Sequence, residues 1–318
     1  RQRHTFAKNG VVCTRCRKPL PDLVEKAVWL DAEDVRPGDY VLSAMSTEVA
    51  TNSVSDARAR LLGYYLGDGH IHSDRRDNPT REMFDGGFGI TLGVHETAHL
   101  AEVLRTCAHA ELKNAPRLHR SKTSNAQTLV VHDQPTAAWL QGLGGRGSRG
   151  KFLSEDVYGW SNTAKLNLLA GYVDTDGHAA RSGIYVTSVN RGLVLDFQHL
   201  CHGLGIAASV GSAGIMDNAW TQSPTPLWHL YIPRSSSGLL APYSIKAAAA
   251  TQPKTAYAKS FFIAGYWATP VRAVSRSVGA GKVYNLSVAE DESYVVEGIT
   301  VHNCTICGNR AATRKDYC

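Results

Sequence analysis

The chain has 318 residues, of which 43% are hydrophobic, and a formal charge of +6 from 34 basic and 28 acidic side chains. This composition excludes a disordered chain, and the length allows two or three hydrophobic cores. The longest apolar run, FFIAGYW at 261–267, is too short to span a membrane, and no signal-peptide pattern stands at the start. We therefore expect a cytoplasmic protein that has no membrane partner. The basic excess is compatible with a polyanionic partner without establishing one.

Two flanking segments have a β-type pattern. VWLDAEDVRPGDYVLS at 28–43 predicts two short strands around an RPGD turn. From about residue 267 the chain again alternates strand-like runs with glycine turns. The two flanks resemble each other more than they resemble the middle, so we predict a β domain that is interrupted by an inserted α/β domain.

The middle of the chain contains a repeat. LLGYYLGDGH at 61–70 and LAGYVDTDGH at 169–178 each predict an apolar helix that ends in Asp-Gly-His. Strand, helix and strand patterns follow each copy. A repeat of this length indicates a duplicated domain, so we predict two α/β halves around a pseudo-twofold axis.

Small residues share one face of each repeated helix. They are Gly63 and Gly67 in the first copy and Gly171 and Thr175 in the second. Residues four apart are neighbours on a helix surface, and small ones allow two helices to approach closely. We therefore predict that the two helices pack against each other.

The end of each repeated helix presents a charge problem. Gly69 and Gly177 suit the left-handed position that closes a helix, which leaves Asp68 and Asp176 at negative helix ends. Two carboxylates brought together there repel each other unless a cation neutralises them. Carboxylate oxygens, water and phosphate are ligands that magnesium prefers, and paired acids of this kind are used in phosphodiester hydrolysis.

The repeated segments resemble the two signature helices of the LAGLIDADG homing endonucleases. The resemblance implies two αββαββ halves with the signature helices at their interface, and a saddle of strands in the major groove of double-stranded DNA. It implies catalytic and magnesium-binding roles for Asp68 and Asp176. Asp174 also matches a motif acid, but Leu66 stands at its place in the first copy, so we assign it no catalytic role. A chain with both halves is expected to act as a monomer.

The segment GLGGRGSRGKFL at 142–153 joins the two halves. It nearly spells a nucleotide-binding P-loop, but Phe152 stands where that loop needs Ser or Thr, so we reject that interpretation. In intein-borne relatives of this family a lysine before the second signature helix assists cleavage, and Lys151 occupies that place. Basic and polar residues expected at a DNA-binding surface are Arg117, Arg120, Lys122, Arg146, Arg149, Arg181 and Asn190.

The segment GKVYNLSVAEDESYVVEGITVHNC at 281–304 resembles the C-terminal splicing blocks of inteins. In such a block Asn303 cyclises through its side-chain amide and cuts the chain after itself. His302 exchanges the proton that this step needs, and Cys304 supplies a thiol nucleophile. Glu292 stands where inteins often carry a histidine.

The N-terminal side matches this resemblance less completely. His4 corresponds to the histidine that polarises the first scissile bond of an intein, but no Cys-led or Ser-led block precedes it. We therefore expect that the chain lacks its N-terminal block. Residues 304–318 are then the start of the host polypeptide, the C-extein.

The remaining cysteines permit an alternative. Cys13 and Cys16 form a Cys-x-x-Cys pair that would supply two of the four ligands a tetrahedral zinc needs. A zinc-dependent binding protein built on this pair and on the second pair, Cys304 and Cys307, is thus one alternative, disfavoured by the incomplete ligand sets. Cys107 and Cys201 lie on apolar helix faces and are predicted to pack in the core.

The predicted fold class is therefore α+β: a duplicated αββαββ endonuclease inserted in an all-β splicing domain of the Hint type. A second alternative is a degenerate intein that has kept splicing or DNA binding but lost nuclease activity. The predicted domains are 1–50 and 256–303 for the splicing domain, 51–255 for the endonuclease (halves 58–150 and 151–255) and 304–318 for the extein.

Overall fold

A computed structural model describes residues 27–45, 50–72, 86–217, 223–249, 260–263, 265–276, 286, 288–289 and 292–302. The chain forms two compact units. One consists of Arg1–Met45 together with Tyr257–Cys318, and the other of Ser46–Ala256. Within the described ranges no helix is long and apolar enough to cross a membrane.

The described helices are α1 (Asp56–Leu66), α2 (Thr97–His109), α3 (Gln134–Gly144), α4 (Asn162–Asp176), α5 (Arg191–Gly203), α6 (Arg234–Ser237) and α7 (Ile245–Ala249). The described strands are β1 (Tyr40–Ala44), β2 (Gly69–His72), β3 (Gly87–Gly93), β4 (Arg117–Arg120), β5 (Ala126–Val131), β6 (Gly177–Ala180), β7 (Gly183–Ser188), β8 (Ser209–Met216), β9 (Thr225–Pro233), β10 (Phe261–Ile263), β11 (Tyr266–Pro270), β12 (Ser293–Val296) and β13 (Ile299–His302).

The unit of Ser46–Ala256 is built from two copies of one α-β-β-α-β-β order, which begin at α1 and at α4. The four strands of the first copy pair in the order β2-β3-β5-β4, and those of the second in the matching order β6-β7-β9-β8. Both sheets are antiparallel throughout. The α+β class and the predicted duplication are confirmed.

The repeated helices α1 and α4 lie in the centre of this unit and bury almost all of their apolar side chains. Their N-termini are fixed by serine caps, since Ser55 Oγ accepts from Arg58 N–H and Ser161 Oγ from Ala164 N–H. A helix that is buried on all sides needs partners on all sides, and here each supplies one face for the other.

The two helices cross at a pair of glycines, as the small-residue face predicted. A Cβ atom on Gly63 would lie 2.2 Å from Leu168 O and 2.9 Å from Gly171 Cα, and one on Gly171 would lie 2.4 Å from Arg60 O. These neighbours are backbone atoms that cannot turn aside. The crossing is therefore a backbone-to-backbone contact that only glycine permits on both sides.

The predicted left-handed role of Gly69 and Gly177 is wrong. Gly177 has extended backbone angles, φ −79° and ψ 148°, and neither glycine is among the described residues with positive φ. Each is the first residue of the strand that follows its helix, β2 and β6 respectively. A Cβ on Gly69 would lie 2.4 Å from Tyr65 Cα, and one on Gly177 would lie 2.2 Å from Val173 O. Close approach to the last helical turn, rather than backbone freedom, requires glycine here.

The other unit has a three-stranded sheet in the order β1-β11-β10 and a hairpin of β12 and β13. Of the two strands predicted within 28–43, only the second is present, as β1. Residues Ala32–Asp34 form a 3₁₀ turn instead, with Glu33 and Asp34 in its first turn. The partner of β1 is β11, from the far end of the chain, which pairs Tyr40 with Pro270.

The glycine crossing predicts a large cost for one added methyl group. We expect Gly63→Ala to lower the free energy of unfolding by about 1–3 kcal/mol or more, because its Cβ would meet backbone of α4. Gly142→Ala is a matched control, since a Cβ on this helical glycine would meet no atom within 4 Å, and alanine there is expected to add about 0.5–1 kcal/mol. Urea unfolding of both variants measures the difference, and equal stability would contradict the crossing.

Candidate active site

The two motif aspartates lie at the ends of the crossed helices. Asp176 is the last residue of α4, and Asp68 follows the end of α1 by two residues. Both are partly buried. Burial, and secondarily the neighbouring Asp68 carboxylate, raises the pKa of Asp176 to about 7. The pKa of Asp68 is also raised, chiefly by burial and then by Glu96. The two acids predicted to meet are thus electrostatically coupled.

Lys151, to which the resemblance gave a role in cleavage, lies beside this pair. Its side chain is buried, and its Nζ donates to Gly67 O at 2.8 Å and to Gly69 O at 3.0 Å. These carbonyls flank Asp68 in the chain. Burial lowers the pKa of Lys151 to about 8, although Asp176 and Asp68 act in the opposite direction. A lysine in this state exchanges a proton near neutral pH.

A second lysine, Lys246 in α7, occupies the matching place in the other half. Its Nζ donates to Thr175 O at 2.6 Å, the carbonyl that immediately precedes Asp176. Lys246 lowers the pKa of both Asp68 and Asp176, as Lys151 does. Sequence reasoning missed it because α7 belongs to no repeated pattern. A search for a lysine after the fourth strand of each half would have found it.

The donor set fits a hard divalent cation. Two carboxylates with raised pKa values lie together, and each gains stability from a cation that favours its ionised form. Within the described ranges, no group of three or more His, Cys, Asp and Glu side chains is placed to hold a metal ion. The protein would therefore supply Asp68 and Asp176, and water and phosphate oxygens the remaining ligands.

One face of each sheet packs on the helices and the other is open. In the first sheet Phe88, Ile90 and Leu129 are buried. The register pairs Thr91 with Thr128 and Thr128 with His119, so these three share the open face. Further residues on that face by the same register are His70, Gly89, Val130 and Arg117.

The open face of the second sheet is aromatic. The rings of Tyr185 and Tyr231 stack with centroids 4.7 Å apart, and Tyr185 also meets His229 at 5.4 Å. These residues alternate along β7 and β9 with buried Ile184 and Leu230. Sequence analysis named charged residues only, although strand alternation carried the signal for these polar aromatic side chains.

The predicted DNA-binding residues other than Asn190 divide into three groups. Arg117 lies on the open face of the first sheet, whereas Arg120 pairs with the buried Gln127 and lies on the opposite face. Loops and turns carry Lys122 (before β5), Arg181 (between β6 and β7), Arg146 and Arg149. Arg149 Nη2 also donates to Thr225 Oγ1 at 3.1 Å.

Asn190 has a different role from the one that the sequence suggested. Its Oδ1 accepts from Leu193 N–H and caps α5. Its Nδ2 donates to Lys151 O at 2.6 Å and to Arg149 O at 3.2 Å. Both ends of this amide are therefore engaged inside the protein. We correct its assignment from a DNA contact to a residue that holds the Lys151 loop.

The predicted splicing residues are described only in part. His302 ends β13, its Nε2 lies 3.4 Å from Glu292 Oε2, and its ring meets Trp29 edge-on at 4.9 Å. Glu292, noted in the sequence as a replacement for histidine, thus faces the histidine that it would assist. The predicted residues that lie outside the described ranges are His4, Cys13, Cys16, Asn303 and Cys304.

Cys107 and Cys201 are free thiols in the core, as predicted. Burial raises the pKa of Cys107 to about 12 and that of Cys201 further still. Neither forms part of a metal site among the described residues.

The raised pKa of Asp176 predicts a stability that falls as pH rises. Its carboxyl has a pKa of about 7 in the folded chain and about 3.9 in an unfolded one. The folded state therefore binds more protons between these values, and stability is lost as pH rises from about 4 to 7. We expect Asp176→Asn to be more stable than wild type at pH 8, by up to about 4 kcal/mol, and similar at pH 4. Urea unfolding in EDTA measures this.

The exposed acid Asp156 supplies the control, since Asp156→Asn removes the same charge outside the site. Its stability at pH 8 is expected to stay within about 0.5 kcal/mol of wild type. If Asp176→Asn showed no stabilisation at pH 8 relative to pH 4, the coupled burial of the two acids would be contradicted.

Comparison with known proteins finds one segment that is similar to a known domain family. Residues 163–232 match the LAGLIDADG-like domain. Among curated proteins, an iron-sulfur cluster assembly SufBD family protein from Mycobacterium tuberculosis is 24% identical over 292 residues, which cover 87% of this chain and 31% of the relative. A replication factor C small subunit from Thermococcus kodakarensis is 23% identical over 194 residues, or 58% of this chain and 19% of the relative. The chain thus spans less than a third of either relative.

Solved structures give weaker likenesses. The homing endonuclease I-DmoI in complex with DNA and Ca has a TM-score of 0.46 at 15% identity, covering 62% of this chain and 98% of that one. The meganuclease I-SmaMI bound to uncleavable DNA has a TM-score of 0.36 at 12% identity, covering 61% and 87%. The family match at 163–232, which runs from α4 to β9, shows that this segment is similar to LAGLIDADG-like domains.

Proposed function

We propose that this chain is a site-specific endonuclease of the LAGLIDADG kind that hydrolyses double-stranded DNA with magnesium and is carried within a protein-splicing element. The observation that carries the nuclease part is the coupled pair Asp68 and Asp176, with one lysine on each side. A structural core does not need two like charges whose pKa values are both raised by burial. A phosphodiester with a bound cation accounts for all four groups.

In this proposal Asp68 and Asp176 would hold the metal, and each DNA strand would meet one aspartate and one lysine. Magnesium, when bound, neutralises phosphate charge and lowers the pKa of the attacking water. Lys151 and Lys246 offer ammonium groups to the phosphates at the cleavage sites. With its pKa near 8, Lys151 also exchanges a proton with the attacking water or the leaving oxygen.

The open faces of the two sheets are the proposed DNA surface. Hydroxyl, imidazole and phenol groups dominate them, and such groups form hydrogen bonds with base edges. Arg117, Lys122, Arg146, Arg149 and Arg181 are the proposed phosphate contacts at their margins. Because both halves belong to one chain, a monomer would contact both strands.

Three observations support the splicing part. The β unit is built from two segments that are far apart in the sequence, since β1 pairs with β11 although all of Ser46–Ala256 lies between them in the chain. His302 faces Glu292, the arrangement of an oriented acid–base group. The chain also matches parts of two curated proteins whose names denote unrelated tasks. An element that is inserted into different host proteins would give such matches to proteins that are otherwise unrelated.

The nuclease proposal predicts loss of cleavage on removal of either acid. Asp68→Asn and Asp176→Asn are each expected to slow cleavage of a plasmid that carries the uninterrupted host gene by roughly a hundredfold or more, in magnesium. Asp156→Asn should cut as wild type does. Binding of the same duplex in calcium, measured by gel shift, should persist in all three variants.

Wild-type protein that binds this duplex without cutting it would favour the degenerate intein instead. Cleavage by Asp68→Asn at the wild-type rate would contradict the assignment of that acid.

The splicing proposal predicts cleavage after Asn303. The side-chain amide of Asn303 attacks its own carbonyl carbon, which forms a succinimide and releases the amino group of Cys304. Mass spectrometry of the expressed chain should detect this product, and Asn303→Ala should abolish it. Glu292→Gln is expected to slow it roughly tenfold because His302 loses its carboxylate partner. Glu33→Gln, in an exposed turn of the same unit, is the control, and an equal rate for both Gln variants would contradict a role for Glu292.

A further inference from the structure

The buried acid Asp174 has no part in the chemistry proposed above. Its side chain is 1% exposed, and leucine (Leu66) replaces it in the first copy of the motif. A buried carboxylate is costly unless it is paired and accepts hydrogen bonds on its remaining lone pairs. The residues that pair with Asp174 and donate hydrogen bonds to it identify the segments that it holds together.

One oxygen of Asp174 faces the other half of the duplicated unit. Its Oδ2 accepts from Arg60 Nη2 at 3.0 Å, and the same guanidinium group lies 3.2 Å from Glu102 Oε1. Arg60 belongs to α1 and Asp174 to α4. The pair therefore ties the two crossed helices together, and Glu102 shares the positive charge.

The other oxygen of Asp174 faces the segment that carries Lys246. Its Oδ1 accepts from Ser244 Oγ at 2.6 Å and from the backbone N–H of Lys246 at 3.1 Å. Ser244 caps the N-terminus of α7, since its Oγ accepts from Ala247 N–H at 3.0 Å and its carbonyl from Ala248 N–H at 2.9 Å. Asp174 thus holds the first turn of this helix.

Lys246 is consequently fixed at two points. Its backbone N–H is bound to Asp174, and its Nζ is bound to Thr175 O, one residue along the same helix. The two ends of the Lys246 residue are therefore bound to adjacent residues of α4. This places its ammonium group close enough to the two motif aspartates to affect their pKa values.

Lys151 has an anchor of the same kind in Asn190, which lies between β7 and α5. The Asn190 amide accepts from the backbone at the start of α5 and donates to Lys151 O at 2.6 Å. Two lysines that approach one site, Lys151 from a loop and Lys246 from α7, are each held through their backbone by a polar side chain. One anchor is an amide and the other is a carboxylate.

We propose that Asp174 is the positioning residue for Lys246, as Asn190 is for Lys151, so that each lysine of the site has its own anchor. Asp174 acts through α7 and contacts neither metal nor DNA. The consequence for cleavage rests on the proposed nuclease function, whereas the anchoring itself does not.

Hydrogen exchange of the metal-free chain tests the anchoring without any activity. In Asp174→Ala the Lys246 amide loses its acceptor, and we expect exchange in the peptide that contains 244–249 to quicken about tenfold or more. The peptide that contains 149–152 should not change. Asn190→Ala should give the reverse pattern. Asp133→Ala is a matched control, because it removes another buried aspartate that accepts two backbone N–H groups, from Thr136 and Lys113.

A double-mutant cycle tests the route to catalysis. If Asp174 acts through Lys246, then Asp174→Ala, Lys246→Met and the double variant should all cleave at rates within about threefold of one another. Asp174→Asn keeps an acceptor oxygen for Ser244 and for the Lys246 amide. It is expected to retain most of the activity even though it loses the Arg60 ion pair and stability with it.

Each outcome decides the matter. Unchanged exchange at 244–249 in Asp174→Ala would overturn the anchoring, whatever the activity. Additive losses in the cycle, or a loss in Asp174→Asn as deep as in Asp174→Ala, would show that Asp174 acts through general stability and would also overturn the proposal. If wild type did not cleave DNA, the nuclease function would fail, and the exchange pattern alone would decide whether Asp174 anchors Lys246.

Discussion

The duplicated unit depends on one contact, the backbone crossing of two buried helices at Gly63 and Gly171. No side chain separates the helices at this point, so their axes lie closer than any larger residue would permit. The two four-stranded sheets continue from the ends of these helices, and their open faces therefore have a fixed relation to the crossing. The same contact brings the C-terminal acids Asp68 and Asp176 within electrostatic reach of each other.

The crossing also brings several buried carboxylates close together, and their charges are stabilised in two different ways. Away from the open end, Arg60 pairs with Asp174 and Glu102, so these buried charges are compensated within the protein. At the C-terminal ends of α1 and α4 the ammonium groups of Lys151 and Lys246 donate hydrogen bonds to backbone carbonyls. Acids with raised pKa values and a lysine with a lowered one are characteristic of a site that is completed by its ligands.

The sequence predicted those parts of the site that belong to the repeated segments at 61–70 and 169–178. The twin helices, their small-residue face, the order of strands and the aspartates all follow from patterns within a single segment. It did not predict Lys246 or the role of Asn190, because both depend on contacts between segments that lie far apart in the chain. For Gly69 and Gly177 the sequence predicted a left-handed backbone, whereas close contact with the preceding helix is what requires glycine. A glycine at a helix end does not reveal from sequence alone which of these two causes applies. The absent first strand within 28–43 is a further local error: its acidic residues favour a 3₁₀ turn.

The most direct test of the account is a crystal structure of the metal-free chain and of the same crystals soaked in manganese. We expect the Asp68 and Asp176 carboxylates to face one another at the ends of the two crossed helices, with anomalous density about 2.0–2.3 Å from oxygens of both. Crystals of Asp68→Asn should lose that density. Carboxylates on separate surfaces, or manganese bound only elsewhere, would contradict the account.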